Sequence, residues 1–356
     1  MRIALSGYYG FDNAGDEALL SAITSTIKKL EPAADFVVFS GHPRKTSSLH
    51  GIRAVYYLHP GQILRELFRA DLLISGGGSI FQDITSARSL PYYISVVALA
   101  KFLGKPVIFY AQGVGPINRS LSKFLMRLVG NRVDLITLRD HDSAVYLERL
   151  GVSRPPMIIT SDPVFSLQPE PGVREEMDKL LQEMGLRGQV LVGVAVRQWL
   201  ALEGYQESLA RVLDELAERG CRILFIPMAY PEDIPAARKV MNLMKNDAWL
   251  LERPLGAREH LALIAHLDIM IGMRLHALIF AASQGVPFAG ISYDPKVDAF
   301  LKLFEMKPLP LAYEDMKAEI ERVLEDNEWR ERIRQRAGEM REKSVENARL
   351  ALSLLR

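Results

Sequence analysis

Short, continuous apolar runs alternate with amphipathic segments along nearly the whole chain. A strand that reads as an unbroken apolar run must be covered on both faces, and a parallel sheet between two helical layers provides that cover. Seven such runs come first, at residues 3–7, 36–40, 54–57, 72–75, 107–112, 135–138 and 157–160. Helical patterns lie between them, among them 16–30, 92–102, 120–129 and 142–150. The alternation breaks at Leu167-Gln168-Pro169-Glu170-Pro171-Gly172, where two prolines and a glycine mark a linker. A second series follows, with strands at 190–196, 222–227, 249–251, 269–271 and 287–291. The expected fold class is therefore α/β, with two doubly wound, Rossmann-like domains facing a cleft. Their expected limits are residues 1–168 and 173–327. A charged helix over 328–356 is expected to return to the first domain. A length of 356 residues agrees with two domains at roughly 150 residues each.

Charge and cysteine content remove several classes of function. Lys plus Arg number 44 and Asp plus Glu 43, so the chain lacks the basic field of a general nucleic-acid binder. Its single cysteine, Cys221, forbids a disulfide within the chain and reads as a small core residue. That usage fits a reducing, cytoplasmic compartment. The seven histidines show no metal-ligand spacing, with His260 and His266 six positions apart on one helical pattern, so no metal is expected. The longest apolar stretch, 267–291, is interrupted by Asp268, Arg274, His276, Gln284 and Pro287. Central charges are costly in a bilayer, so strand, helix, strand is the better reading. The N-terminal apolar run is too short for a signal peptide and reads as a first strand.

Ligands of open parallel sheets bind beyond the carboxyl ends of the strands, so the turns that follow each strand carry the functional information. The first is Gly7-Tyr8-Tyr9-Gly10-Phe11-Asp12-Asn13-Ala14-Gly15-Asp16-Glu17. Its glycine spacing is not that of a dinucleotide site, and Asp12 and Asp16 place negative charge where a phosphate would sit. Asp12, Asn13 and Asp16 suit sugar hydroxyls; capping of the next helix is the alternative use. The strand at 72–75 runs into Gly76-Gly77-Gly78-Ser79, whose glycines allow close backbone approach to a ligand. Arg139-Asp140 and Arg197 each end a strand, and a strand-end arginine can fork onto a carboxylate or phosphate. A surface ion pair between Arg139 and Asp140 is the competing reading. The strongest turns are Gly272-Met273-Arg274-Leu275-His276-Ala277 and Gly290-Ile291-Ser292-Tyr293-Asp294-Pro295-Lys296. Arg274, His276 and Lys296 open two helices at adjacent strand ends, where a small, highly charged anion would be held.

These turns, in this order, resemble the polysaccharide pyruvyl transferases. The resemblance rests on residues 7–18, on Gly76-Gly77-Gly78-Ser79, Gln112-Gly113-Val114-Gly115-Pro116 and Arg139-Asp140, and on Arg274-Leu275-His276-Ala277. It looks closest to the CsaB type, which modifies a cell-wall polysaccharide that anchors S-layer proteins. The resemblance implies a GT-B-like fold and phosphoenolpyruvate as a co-substrate rather than a cofactor. It implies His276 as the catalytic histidine, with Arg139, Arg274 and Lys296 holding the donor. Arg197 joins the donor set as a strand-end cation. The acceptor implied is N-acetylmannosamine on a lipid-linked disaccharide. Asp12, Asn13, Asp16, Gly77 and Gly78 form the expected acceptor set.

Two rivals remain. Many two-lobed glycosyltransferases carry a Glu that holds the nucleotide ribose in the helix before a Gly-x-Pro; Phe280 stands there in this chain. A non-catalytic sugar binder would keep the acidic first turn but have no use for the Arg-His-Lys cluster. A lipid-linked acceptor would bring the enzyme to the inner membrane face. The basic, amphipathic segment 119–129 would then rest on lipid, the alternative being an ordinary surface helix. The sequence leaves the oligomeric state open, a homo-oligomer included.

Overall fold

The computed structural model describes residues 1–83, 86, 88–199, 202 and 204–355. Its chain divides into two compact units, Met1–Leu167 with Met340–Arg356 and Gln168–Glu339. All twelve expected strands are present. Every strand pairing among the described residues is parallel.

The first unit holds seven strands: β1 (Arg2–Tyr9), β2 (Asp35–Ser40), β3 (Arg53–Tyr56), β4 (Leu72–Gly78), β5 (Val107–Gln112), β6 (Leu135–Leu138) and β7 (Met157–Ile159). They lie in the order β3-β2-β1-β4-β5-β6-β7, so the winding reverses between β1 and β4. Helix α1 (Ala14–Leu30) covers one face, and its Leu20, Ile23 and Ile27 pack with Ile3, Leu5 and Ile74. The helices α2 (Pro43–His50), α3 (Pro60–Arg69), α4 (Ser89–Phe102), α5 (Ser120–Gly130) and α6 (His141–Arg149) follow in turn. Of these, α3 to α6 line the opposite face through Ile63, Leu67, Val97, Met126 and Leu147.

The second unit holds β8 (Leu191–Ala195), β9 (Arg222–Phe225), β10 (Trp249–Leu250), β11 (Ile269–Gly272) and β12 (Phe288–Gly290). Their order is β10-β9-β8-β11-β12, which repeats the reversal between β8 and β11. Helix α7 (Pro171–Glu183) precedes them; between them run α8 (Tyr205–Glu218), α9 (Ile234–Met241), α10 (Ala257–Ile264) and α11 (Leu275–Ser283), with α12 (Pro295–Leu303) and α13 (Tyr313–Glu325) after the last strand.

The last helix, α14 (Asn327–Ser353), contributes to both units. Arg330 donates to the Asp268 carbonyl in the second unit. In the first, Ala348 and Ala351 join the core, and Asn347 bonds both the Ser161 carbonyl at 3.0 Å and Thr160 at 2.7 Å. Asn347 is fully buried, so these partners offset its desolvation.

Candidate functional site

In the first unit the switch point lies where β1 runs into α1. Asn13 caps α1, its Oδ1 accepting from Gly15 N and Asp16 N at 3.0 and 3.2 Å. The capping use of Asn13 is therefore real, and its oxygen is committed. Asp12 sits at φ 59°, a region costly for a residue with a Cβ, and its carboxylate meets Lys45 Nζ at 2.5 Å. Buried Glu17 accepts from Gly10 N at 2.8 Å and pairs with His50 at 2.7 Å, which ties the whole turn to α2. Asp16 faces the end of β4: a Cβ on Gly78 would stand 3.3 Å from its Oδ1.

Gly77 and Gly78 have φ of +88° and +86°. A Cβ on Gly77 would press on Leu19 and the Tyr9 hydroxyl at 3.1 Å. One on Gly76 would strike the Tyr110 carbonyl at 2.5 Å. Close approach is what these glycines supply, and packing of α1 and β5 against β4 accounts for it first. The five residues expected on the acceptor side thus lie at one switch point. Tyr9 is buried beneath them and donates to the Gly76 carbonyl. Burial, with Asp16 and Glu17 adding, holds its hydroxyl far above the usual phenol range.

Arg139 continues β6, its amide bonding the Gln112 carbonyl at 3.2 Å. It does not pair with Asp140. Consecutive extended residues point to opposite faces, and Asp140 instead caps α6 through Ser143 N at 2.7 Å. The Arg139 guanidinium is buried, giving Nη1 to Asp162 and Nη2 to Ser79, each at 2.8 Å. Gly113 makes room for it, since a Cβ there would lie 2.6 Å from Nε. Asp162, beyond β7, and Ser79 are partners that the sequence reading did not identify; a polar strand-end residue after β7 was the available signal. Asp83 anchors the next turn, accepting from Asn118 N and Arg119 N at 2.8 and 2.9 Å. Burial raises its carboxyl, but these amides and Ser122 outweigh that and hold it below the usual range.

In the second unit, register decides the geometry. Gly272 of β11 lies beside Ala195 of β8 on one side and Gly290 of β12 on the other. Adjacent strands are about 4.8 Å apart, so the three strand ends form one short row. Arg197 and Arg274 each stand two residues beyond it, and Lys296 opens α12. Arg197 lies against a pair of neighbouring rings, 5.3 Å from Trp199 and 5.0 Å from Tyr293, and gives Nη1 to the Tyr293 hydroxyl at 3.0 Å. Its Nε is buried and has no hydrogen-bond partner among the described residues. Lys296 Nζ lies 5.8 Å from the same Tyr293 ring and 3.2 Å from Asp294. Tyr293 thus joins two of the expected cations.

Arg274 precedes α11 and is largely committed to Asp233, with Nε at 3.0 Å from Oδ2 and Nη2 at 2.5 Å from Oδ1. Asp233 also accepts from Met228 N and Ala229 N at 3.2 and 3.0 Å. His276 lies half-buried in the first turn of α11, its ring 6.4 Å from Phe280. In the second unit Arg197, Arg274, His276 and Lys296 thus follow the ends of one row of adjacent strands, with Arg197 and Lys296 meeting at Tyr293; Arg139 belongs to the first unit. Phe280 is fully buried and presents no polar group at the position a ribose-binding Glu would need.

His260 is structural. It is buried on α10, with Nδ1 at 3.1 Å from the Gly256 carbonyl and Nε2 at 3.0 Å from that of Pro227. Burial lowers its pKa below 6.5 and outweighs the two carbonyls, which act the other way. The unfolded chain therefore binds more protons than the folded one below pH 6.5, and stability falls as pH falls through that window. Melting temperature is expected to drop from pH 6.5 to 5, with a shallower drop in His260→Gln. Half-buried His266, also lowered by burial, retains part of the slope. An unchanged slope in the variant would remove His260 from this account.

Comparison with known proteins adds to this geometry. The family profile described as polysaccharide pyruvyl transferase matches residues 13–295. The chain is 21% identical over 275 residues to the amylovoran biosynthesis protein AmsJ of Erwinia amylovora, covering 73% of this chain and 65% of that protein. The match thus spans less than two thirds of the relative's length. Among solved structures, UDP-GlcNAc 2-epimerase from Neisseria meningitidis, bound to UDP-GlcNAc, aligns with a TM-score of 0.67 at 12% identity, covering 100% of this chain and 99% of that one. HepE from Anabaena, in complex with UDP-glucose, aligns with a TM-score of 0.66 at 14% identity, covering 100% and 98%. At such identities the likeness concerns the fold alone, which is GT-B-like. The family profile takes in Asn13, Asp16, Gly77 and Gly78 at the first switch point and Arg139, Arg197, Arg274 and His276 at strand ends, and the chain belongs to the polysaccharide pyruvyl transferase family.

Proposed function

We propose that the chain transfers a pyruvyl group from phosphoenolpyruvate to a sugar as a ketal, releasing phosphate. The observation that carries this reading is the in-register row of strand ends in the second unit, from which Arg197, Arg274, His276 and Lys296 emerge. A small donor with a phosphate and a carboxylate fits such a cluster at two helix N-termini. Arg139 joins the donor set by its place in the family motif. The first unit supplies the acceptor side, through Asp12, Asn13, Asp16 and the turn at Gly77 and Gly78.

The chemistry follows from the donor. His276 protonates the methylene carbon, which becomes the methyl group, and the adjacent carbon becomes electrophilic. A sugar hydroxyl adds there, the C–O bond to phosphate breaks, and a second hydroxyl closes the ketal. Of the two hydroxyl protons, one replaces that given by His276 and the other leaves with phosphate. The cations stabilise the charge on departing phosphate. The proposed acceptor is N-acetylmannosamine of a lipid-linked cell-wall disaccharide, as in the CsaB type, which places the reaction at the inner membrane face.

The test is phosphate release from phosphoenolpyruvate with and without that disaccharide, in the absence of added metal. Acceptor-dependent release, with one pyruvyl ketal gained in the sugar's mass, is expected. Thermal protection by phosphoenolpyruvate without release would keep the donor and discard the acceptor. Protection by UDP and none by phosphoenolpyruvate would replace the reading with nucleotide-sugar chemistry.

A further inference from the structure

No helix among the described residues is long and apolar enough to cross a membrane. The first unit nevertheless carries an unusual outer surface. Helix α5 has two apolar stripes rather than one. Met126 and Val129 are buried against the sheet. Leu121, Phe124 and Leu128, spaced three and four apart, form a second stripe that faces solvent, with Leu121 63% and Phe124 59% exposed. An ordinary surface helix spends its apolar residues on the core, so packing does not account for the second stripe.

The stripe is not isolated. Helix α4 packs between α3 and α5, so the three outer faces form one surface. At its C-terminus α4 presents Phe102, 86% exposed, and α3 presents Leu64 and Phe68, the latter 70% exposed. Lys105, in the turn after α4, lies 5.9 Å from the Phe68 ring. Monomeric soluble proteins rarely leave several large apolar side chains clustered in water.

The charges around these side chains are almost all of one sign. Arg65 and Arg69 flank the α3 pair, and Arg119, Lys123 and Arg127 flank the α5 stripe, all exposed. Among the described residues none of these five makes an ion pair. The only acid on α3, Glu66, is buried and paired to Arg2 and Arg53, and α4 and α5 contain none. Aromatic and leucine side chains ringed by unpaired cations match an anionic bilayer surface: the rings enter the acyl boundary and the cations meet headgroup phosphates. A self-associating apolar face would bring these cations together at close range.

We infer that the outer face of α3, α4 and α5 docks on an anionic membrane. This rests on the surface alone and stands or falls apart from the pyruvyl-transfer reading. The test is co-sedimentation of the full chain with vesicles of phosphatidylcholine, with and without phosphatidylglycerol. Binding that requires phosphatidylglycerol and weakens with salt is expected. Each cation near such a surface contributes about fivefold, so Lys123→Glu with Arg127→Glu should weaken binding by at least about 25-fold. Replacing Phe68, Phe102 and Phe124 with Ser should weaken it comparably. Those side chains are exposed, so the melting temperature and the turnover of a soluble acceptor should stay unchanged in both variants. Absence of wild-type binding would overturn the inference, as would binding that survives both variants. So would a concentration-dependent dimer that ignores vesicles and is abolished by the Phe replacements, which would make the face a contact between copies.

Discussion

His276→Ala is expected to lower kcat by about 10²- to 10⁴-fold, the usual contribution of a positioned general acid, while phosphoenolpyruvate still protects the protein against melting. The split follows from position. His276 is the second residue of α11, half-buried, with its ring near Phe280. The cations that would bind the donor come from elsewhere: Arg274 from the end of β11, Arg197 from the end of β8, Lys296 from the start of α12 and Arg139 from the end of β6. Removing the imidazole leaves all four in place. His276→Gln sharpens the test, because an amide retains polar contacts but cannot protonate carbon. Both variants should lose turnover alike. Turnover within threefold of wild type in either would take the proton-transfer role away from His276. Loss of donor protection in both, with turnover and binding falling together, would recast it as a binding residue.

Much of this arrangement is legible in the residue order. Unbroken apolar runs separated by amphipathic segments fix parallel strands, because no other common arrangement buries such strands on both faces. Once the strands are placed, the turns after them must gather at one edge of each sheet, which locates Asp12, Asp16, Arg197 and Arg274 without further information. Partners are less legible. Arg139 is adjacent in sequence to Asp140, yet extended backbone sends the two side chains apart, and Asp162, 23 positions away, receives the guanidinium. Arg274 likewise finds Asp233 41 positions earlier. Such pairings depend on which loops meet at the sheet edge, and hydrophobic periodicity carries no information about loops. The triple glycine that ends β4 invites a ligand reading, but Leu19, Tyr9 and Tyr110 already require its lack of side chains. On α5 the period reveals a helix and cannot say which of two apolar stripes turns inward.

The chain's net charge of +1 conceals two opposite local fields. The switch point of the first unit carries Asp12, Asp16 and Glu17; that of the second carries Arg197, Arg274 and, one strand further, Lys296. Each field needs internal counter-charges to persist in a folded chain. Glu17 has hydrogen bonds from the Gly10 amide and with the His50 ring, Asp12 has Lys45, and Arg274 has Asp233. The Arg274–Asp233 pair is far more buried than the Lys45–Asp12 pair. Asp233 is 1% exposed, whereas Asp12 is largely open to water. Solvent screening therefore makes the Lys45–Asp12 pair worth little, and burial makes the Arg274–Asp233 pair costly to break.

Asp233→Ala is accordingly expected to destabilise the protein by about 3–5 kcal/mol, the range for leaving one member of a buried ion pair without its partner. Two things are lost together: the charge opposite Arg274, and the acceptor for the Met228 and Ala229 amides. Asp233→Asn should fall in between, since one oxygen can still accept from the backbone while the amide nitrogen turns donor against donor at the guanidinium. Chemical denaturation measures both. A double-mutant cycle separates the pair from the backbone contacts: Arg274→Met should cost much less in an Asp233→Ala background than alone, by on the order of 1–3 kcal/mol, the range for directly contacting residues. Donor binding gives the functional readout. Freed from Asp233, the guanidinium loses its fixed orientation at the start of α11, so the KM for phosphoenolpyruvate should rise in Asp233→Asn, even where that variant remains folded at the assay temperature. Additive free energies in the cycle would mean that Asp233 serves the backbone turn alone, and that Arg274 is held by something other than its carboxylate.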